Sequence, residues 1–484
     1  MKEETIKTKT IKGTIWSAID NTSHIGASFL IGVVLARLLT PDDYGLIGII
    51  TIFTTLCTTI INGGFNTALV RKKNPTDDDY ATSFIINLGL SILLYAIIFI
   101  FSPLIAEFFK REELILLTRV SSCTLIIGAF SMVQRVRLIK RIDFKTQTKI
   151  TLIACIVSGL IGISMALLGM GVWALVFQGI ILQLTNTVFL CIYNKWIPKL
   201  CFNRNSFNEL FGFGWKIMTA SILSSICKEL QQLVIGKFYS PSLLGQYTRA
   251  KQFSMLFSNN LTNVIQRVTF PVLSDIQDDK ERLVNAYRRI IKTTMLITFA
   301  LLFTLGAISE PLIYCLIGEK WYVAATYLPL LCIVGSISPI HSINVNMLQV
   351  QGRSDLILKI ETLIQIISFV PLIIGAFAGI FPMLYAFVVT TFIGYYIYSY
   401  CTGKQTGYTP WMQIKDIAPS FFIAMMMAIP VSFFKFLPIT NWLILPIQIT
   451  FSISIFVVLC KVTDIDEYKD ISNSIKRSLN KIIK

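Results

Sequence analysis

The sequence predicts an all-α integral membrane protein of about fourteen transmembrane helices. It resolves into two six-helix lobes related by a pseudo-two-fold repeat, followed by two extra C-terminal helices. Three observations predict this: the composition, the length of the apolar runs, and the side on which the basic residues fall. Of the 484 residues, 54% are hydrophobic and only 14% charged, with a mean hydropathy of +0.67. A soluble domain carries roughly 25% charged residues.

A bilayer core of about 30 Å needs around 20 apolar residues in helical form. Taken in order, the first candidate is 14–36, behind the polar and basic stretch MKEETIKTKTIK. Asp20, Asn21 and His24 interrupt it, unlike the unbroken h-region of a signal peptide, so this helix is expected to be retained. Then come 44–69, 82–104 and 114–134. The glycine-rich turn LGMGVW separates 150–169 from 171–193. The seventh and eighth, 211–236 and 243–271, carry several polar residues, and 289–309 and 325–349 follow. FAGIFP divides 357–378 from 380–401, and 418–436 and 441–460 complete the set.

The positive-inside rule checks this count independently. With the N-terminus cytoplasmic and the sides alternating, 33 of the 43 Lys and Arg residues fall inside. Six lie outside, and four (Arg119, Lys228, Arg249 and Lys251) lie within spans, when residues at the cytoplasmic end of a span are counted with the inside. One miscounted helix would swap the sides of everything downstream and erase the bias. Both termini are therefore expected in the cytoplasm.

An internal duplication divides the chain. Gly13 to Trp16 recurs as Gly212 to Trp215, and LLTPDDYGL (Leu38 to Leu46) aligns with FYSPSLLGQ (Phe238 to Gln246). That alignment matches Pro41 with Pro241 and Gly45 with Gly245. Late in each half, IKRIDFKTQTKI parallels VQGRSDLILKI. The expected organisation is an N-lobe over 1–200, a C-lobe over 201–404, and two helices with a cytoplasmic tail over 405–484. Parallel repeats of this kind place a substrate path between two rocking lobes.

The turn at Leu39 to Gly45, its echo at Ser240 to Gly245, the stretch before Trp16 and the RIDFK turn at Arg141 to Lys145 carry a likeness over nearly the whole chain. It resembles the Wzx/WzxC/TuaB-like polysaccharide (O-antigen) flippases, in the polysaccharide transporter branch of the MOP superfamily. The resemblance implies a multi-pass protein of the bacterial inner membrane. Its cargo would be an undecaprenyl-diphosphate-linked oligosaccharide, turned from the cytoplasmic to the periplasmic leaflet during lipopolysaccharide or capsule assembly. Membrane lipids and other assembly proteins would be its partners.

Polar groups inside a membrane are costly and mark functional candidates. In the eighth span Arg249, Gln252, Asn259, Asn263 and Gln266 share one helical face, with Lys251 off it. Lys228 and Gln232 are four apart in the seventh; the second carries Thr55, Thr58, Thr59, Asn62 and Asn66; the tenth carries His341, Asn344 and Asn346. The expected cavity set is Asn62, Asn66, Lys228, Gln232, Arg249, Lys251, Gln252, Asn259, Asn263, His341 and Asn344. Arg and Lys suit a diphosphate, and the amides suit sugar hydroxyls. Each amide is equally explained as a hydrogen bond between packed helices. Asp20 with His24, and Glu229, are the candidates for ion coupling.

Other classes fit less well. The basic residues form no single face, which argues against nucleic acid. The ten cysteines make no ligand spacing, so no metal or cofactor is expected. The phosphate-binding motif G-x-x-x-x-G-K-[ST] is absent. A polysaccharide polymerase or ligase would need a large outer loop with catalytic groups, and the protein is not expected to be an enzyme. A MATE-like antiporter of organic cations shares the topology but would rely on membrane carboxylates, here few: Asp20, Glu229 and Glu361.

Overall fold

A computed structural model describes residues 25–141, 143–196, 201–436, 438, 440–470 and 472–473, and every regular element among them is a helix. Contacts group the chain into two compact units, Met1–Gly245 and Gln246–Lys484. The first contains α1 (Ile25–Leu38), α2 (Pro41–Gly63), α3 (Phe65–Arg71), α4 (Asp77–Phe109), α5 (Leu114–Ser121), α6 (Cys123–Lys140), α7 (Phe144–Leu167), α8 (Val172–Asn194) and α9 (Arg204–Phe238). α10 (Pro241–Asp275) crosses the division. The second continues with α11 (Lys280–Ala307), α12 (Ser309–Ile317), α13 (Tyr322–Val350), α14 (Ser354–Ile367), α15 (Phe369–Ala378), α16 (Ile380–Thr406), α17 (Pro410–Phe433) and α18 (Asn441–Val462).

Thirteen of the fourteen intervals read from the sequence coincide with helices, as do the described residues 25–36 of the first, but their membrane character is uneven. Among the described residues eleven helical segments are long and apolar enough to cross a bilayer, and α9 makes a twelfth if its two arms are one span. Those arms, Arg204–Gly212 and Gly214–Phe238, meet at 48°. The described part of α1 is short, and α10 is long but too polar to qualify. The structure thus supports eleven or twelve crossings by composition, against the fourteen expected. The amphipathic stretch 275–292 divides at a turn, and from Lys280 onward it runs without a break into the apolar part of α11.

The echoed turns have a physical counterpart. Thr40 caps α2 through a capping box with Asp43, and Pro41 occupies the first turn, where its missing N–H costs nothing. At α10, the Ser240 hydroxyl accepts from Leu243 N at 3.2 Å and Pro241 opens the helix. The two turns also meet each other. A Cβ on Gly45 would lie 1.7 Å from the Pro241 carbonyl oxygen, and one on Gly245 would lie 1.9 Å from that of Pro41. Only glycine permits this reciprocal approach of backbones.

In the first unit α7 pairs with α8, α6 packs on α4 and α8, and α2 lies along α9. In the second, α11 sits between α13 and α17, and α13 packs on α16. Its core stacks Tyr287, Ile291, Met295 and Phe299 of α11 on Ile340, Ile343 and Met347 of α13 and Ala424 of α17. A polar network anchors α17 beside that core. Arg288 donates through Nε and, at 2.7 Å, through Nη2 to Asp416, which also accepts from the Tyr408 hydroxyl at 2.6 Å. Burial, reinforced by that bond, holds the Tyr408 phenol far above its usual range, so it remains a donor. The first of the two extra helices therefore belongs to the second unit's core.

Candidate translocation site

The first unit contains a cavity of ≈ 550 Å³ whose wall mixes polar side chains with Ile61, Val70, Leu125, Met132, Val136 and Ile139. It forms because three helices each turn a periodic polar face to one space. α2 contributes Thr58 and Asn62, with Asn66 and Thr67 from α3 beyond the helix break. α6 contributes Thr124, Ser131 and Arg135, successive positions on one face, and α8 contributes Gln183 and Asn186. Arg135 is the charged group among the lining residues. A second space of ≈ 410 Å³ adjoins, sharing Thr58, Asn62 and Thr124 and adding Thr54, Thr55, Thr59 and Ser221.

Hydrogen bonding fixes these walls. Thr54, Thr58 and Thr59 donate to the carbonyls four residues earlier at 3.2, 2.7 and 2.9 Å, which satisfies a hydroxyl inside a helix without a partner from outside it. The Thr59 and Ser225 hydroxyls lie 3.0 Å apart, joining α2 to α9. Fully buried Asn87 donates to Asn66 Oδ1 at 3.2 Å, and Asn66 donates to Asn62 Oδ1 at 3.2 Å. This chain of amides runs from the packed interior of α4 to exposed Asn62. Gln183 donates to Ser131 Oγ at 3.3 Å, over Gly128, where a Cβ would come 3.1 Å from the Gln183 amide nitrogen.

The expected site residues divide between the units. Asn62 and Asn66 line the cavity. Lys228, exposed, and Gln232, half-buried, lie on α9, and Gln232 donates to Glu229 Oε2 at 2.7 Å. Arg249, Lys251, Gln252, Asn259, Asn263, His341 and Asn344 fall in the second unit. On α10, Gln252, Asn259, Asn263 and Gln266 form one exposed stripe, as their spacing predicts. The opposite face packs: the hydroxyls of Ser254 and Ser258 donate to Leu331 O and Gly335 O of α13 at 2.8 and 2.7 Å. Arg249 lies at the stripe's edge and is buried, its guanidinium 5.9 Å from the Trp321 ring centroid and donating to Gln252 Oε1 at 2.6 Å. The Lys251 ammonium stands 5.8 Å from the Tyr247 ring.

His341 and Asn344 differ from the α10 stripe. His341 Nε2 is 3.5 Å from Glu361 Oε1, to which the Tyr398 hydroxyl donates at 2.7 Å. Asn344 is fully buried; its Oδ1 accepts from Tyr287 and, at 3.0 Å, from Thr402, and its Nδ2 donates to Ile340 O at 3.0 Å. That arrangement ties α11, α13 and α16 together. Asp20 and His24 lie outside the described residues. Sequence reasoning passed over Arg135, which it counted among the orienting charges, and over Gln183 and Asn186, whose i, i+3 spacing in an apolar span was the available signal.

The sequence profile of a family described as polysaccharide biosynthesis protein matches residues 34–326, more than half of the chain. The chain belongs to the polysaccharide biosynthesis protein family. Curated relatives agree with this family placement. The lipopolysaccharide biosynthesis protein WzxC of Escherichia coli (strain K12) is 25% identical over 81% of both chains. The teichuronic acid biosynthesis protein TuaB of Bacillus subtilis (strain 168) is 24% identical over 72% of both. The succinoglycan biosynthesis transport protein ExoT of Rhizobium meliloti (strain 1021) is 24% identical over 68% of this chain and 67% of its own. The fold of this family member also resembles solved structures. The lipid II flippase MurJ, in an inward closed conformation, superposes with a TM-score of 0.73, 15% identity, and coverage of 95% of this chain and 99% of that one. An inward-facing multidrug resistance MATE transporter of the MOP superfamily reaches 0.59 at 15% identity, over 85% and 98%. The protein is a multi-pass membrane protein, helical throughout its regular elements among the described residues, and it shares its fold with MurJ and this MATE transporter.

Proposed function

We propose that the protein is a lipid-linked oligosaccharide flippase. It carries an undecaprenyl-diphosphate-linked glycan from the cytoplasmic leaflet of the bacterial inner membrane to the opposite one, by alternating access of two lobes, 1–200 and 201–404. The polar cavity between α2, α6 and α8 carries this reading. Its hydroxyls and amides match the donor and acceptor needs of sugar rings. Arg135 supplies a charge-assisted bond for a phosphate, worth about 1.5–3 kcal/mol. Arg135 is followed on the same helix end by Arg137 and Lys140, the end that the charge bias assigns to the cytoplasm. A substrate built there would meet the cavity at the end where Arg135 lies.

The names of the relatives support the cargo class: WzxC, TuaB and ExoT are named for the biosynthesis of lipopolysaccharide, teichuronic acid and succinoglycan, ExoT as a transport protein. MurJ, which shares the fold, is named as a lipid II flippase. In this reading both termini lie in the cytoplasm, and the exposed α10 stripe and Lys228 contribute to the path. Glu229, and Asp20 with His24, serve ion coupling. Transport, not bond chemistry, is the activity; other assembly proteins of the same pathway supply and consume the glycolipid.

The test is deletion of the gene followed by glycolipid analysis. Intact lipid-linked units should accumulate on the cytoplasmic side of the membrane. Units that reach the outer side but stay unpolymerised would refute the flippase reading.

A further inference from the structure

The second unit has an opening of its own. Between α10 and α11 the structure has a crevice of ≈ 660 Å³. On α11 it is lined by Arg282, Asn285, Ala286, Arg289, Ile290, Thr293 and Thr294, positions at i, i+3, i+4, i+7, i+8, i+11 and i+12, which is one continuous helix face. On α10 its wall includes Val264, Ile265, Thr269 and Val272. That side is opposite the stripe of Gln252, Asn259 and Asn263, by the 100° step of an α-helix. The crevice is therefore not a continuation of the polar path.

Its chemistry is polarised along α11. Arg282, Asn285 and Arg289 occupy the end nearest the α10–α11 turn, and Ile290 and Val264 the apolar remainder. Val264 is 61% exposed and Val272 44%, so an apolar wall faces outward. The depth also fits. α11 has 28 residues, hence a length of about 42 Å against a hydrocarbon core of about 30 Å. About eight residues must extend beyond the core, and the charged residues Lys280, Glu281 and Arg282 mark the N-terminal end as the one that does. Arg282 then stands at headgroup level, and Arg289, two turns deeper, at the top of the acyl region.

We propose that this crevice binds one anionic phospholipid, its phosphate held between Arg282 and Arg289 and an acyl chain lying along Val264, Val272 and Ile290. Arginine pairs with phosphate oxygens through its planar fork, and basic pockets between membrane helices select anionic headgroups. Arg289 already has a competitor. Its Nε and Nη2 lie 3.2 and 2.6 Å from Asp470 Oδ2, in the segment after α18. Lys292 and Glu467 pair one turn further along. The C-terminal segment thus rests on the headgroup end of the crevice, and lipid phosphate and Asp470 share one guanidinium. Lipid occupancy would then loosen the tail.

The purified full chain in detergent tests this by thermal midpoint and native mass spectrometry, with phosphatidylglycerol and phosphatidylcholine as probes. Phosphatidylglycerol should raise the midpoint and phosphatidylcholine should not. The double variant R282Q/R289Q should weaken phosphatidylglycerol binding about tenfold or more. Ile290→Trp, which fills the apolar part, should weaken it with the arginines intact. Asp470→Asn should strengthen it, a gain that a folding defect cannot mimic. Equal stabilisation by both lipids, or unchanged phosphatidylglycerol binding in the double variant and in Asp470→Asn, would overturn the proposal. So would displacement of phosphatidylglycerol by undecaprenyl phosphate at lower concentration, which would assign the crevice to the cargo's carrier.

Discussion

Arg135 shows how a single residue can be misread when only the chain is in view. It belongs to a run of basic residues at the end of α6, and such runs orient membrane helices. Only the packing of α6 beside α2 and α8 turns its side chain into the wall of a polar cavity. Arg135→Gln is expected to lower apparent affinity for a lipid diphosphate about 10- to 100-fold, following loss of a charge-assisted bond of about 1.5–3 kcal/mol. Uptake of a labelled lipid-linked glycan into proteoliposomes measures it. Asn62→Leu removes the exposed end of the Asn87–Asn66–Asn62 chain. It should reduce transport while the fold persists, a separation read by comparing flux with thermal midpoint. Asp416→Ala acts elsewhere. It leaves Arg288 and Tyr408 without their shared acceptor and should cost about 1–3 kcal/mol of stability. Asp416→Asn, which keeps an acceptor for Tyr408, should cost less in the same melting experiment.

At the scale of the element, α10 was the most legible helix. Its polar spacing predicts one exposed stripe, and the stripe is there, with the two serines of the opposite face bonded to α13. Arg249 departs from that reading because a long side chain at the stripe's edge can fold back over a neighbouring ring, and Trp321 supplies one. His341 and Asn344 depart for a similar reason: polar side chains in a span are held by cross-helix bonds as readily as by a cavity. The paired helix starts at Pro41 and Pro241 lead to a sharper expectation. Gly45→Val places a side chain onto the Pro241 carbonyl and should separate the two starts, with an overpacking cost of about 1–3 kcal/mol or more. A cysteine pair at Thr40 and Ser240, scored for cross-linking with and without this substitution, reports the separation directly.

For the whole molecule, the number of bilayer crossings turns on α9 and α10. Among the described residues eleven segments qualify by composition, α9 is bent, and α10 is polar along one face. The fourteen-span arrangement expected from the sequence requires α10 to cross, as a helix beside an aqueous path can without being apolar all round. Cysteines introduced at Tyr239 and Asp278, on a background lacking the native ten, should then be labelled from opposite sides. Labelling from one side would remove α10 from the count and reverse the sides assigned to everything after it.

Composition and periodicity determined that this is a helical membrane protein, where the helices lie, and which faces of them are polar. These follow from local rules: apolar length for a bilayer, 3.6 residues per turn, and proline and glycine at helix ends. Tertiary structure alone decided which polar faces share a cavity, that Asn344 is consumed in the core, that Arg135 is a lining residue, and that α11 opens a crevice beside α10. The reason is physical. A polar residue in a span has to be satisfied, and the sequence sets that requirement, but only the neighbouring helices supply either a partner or a space.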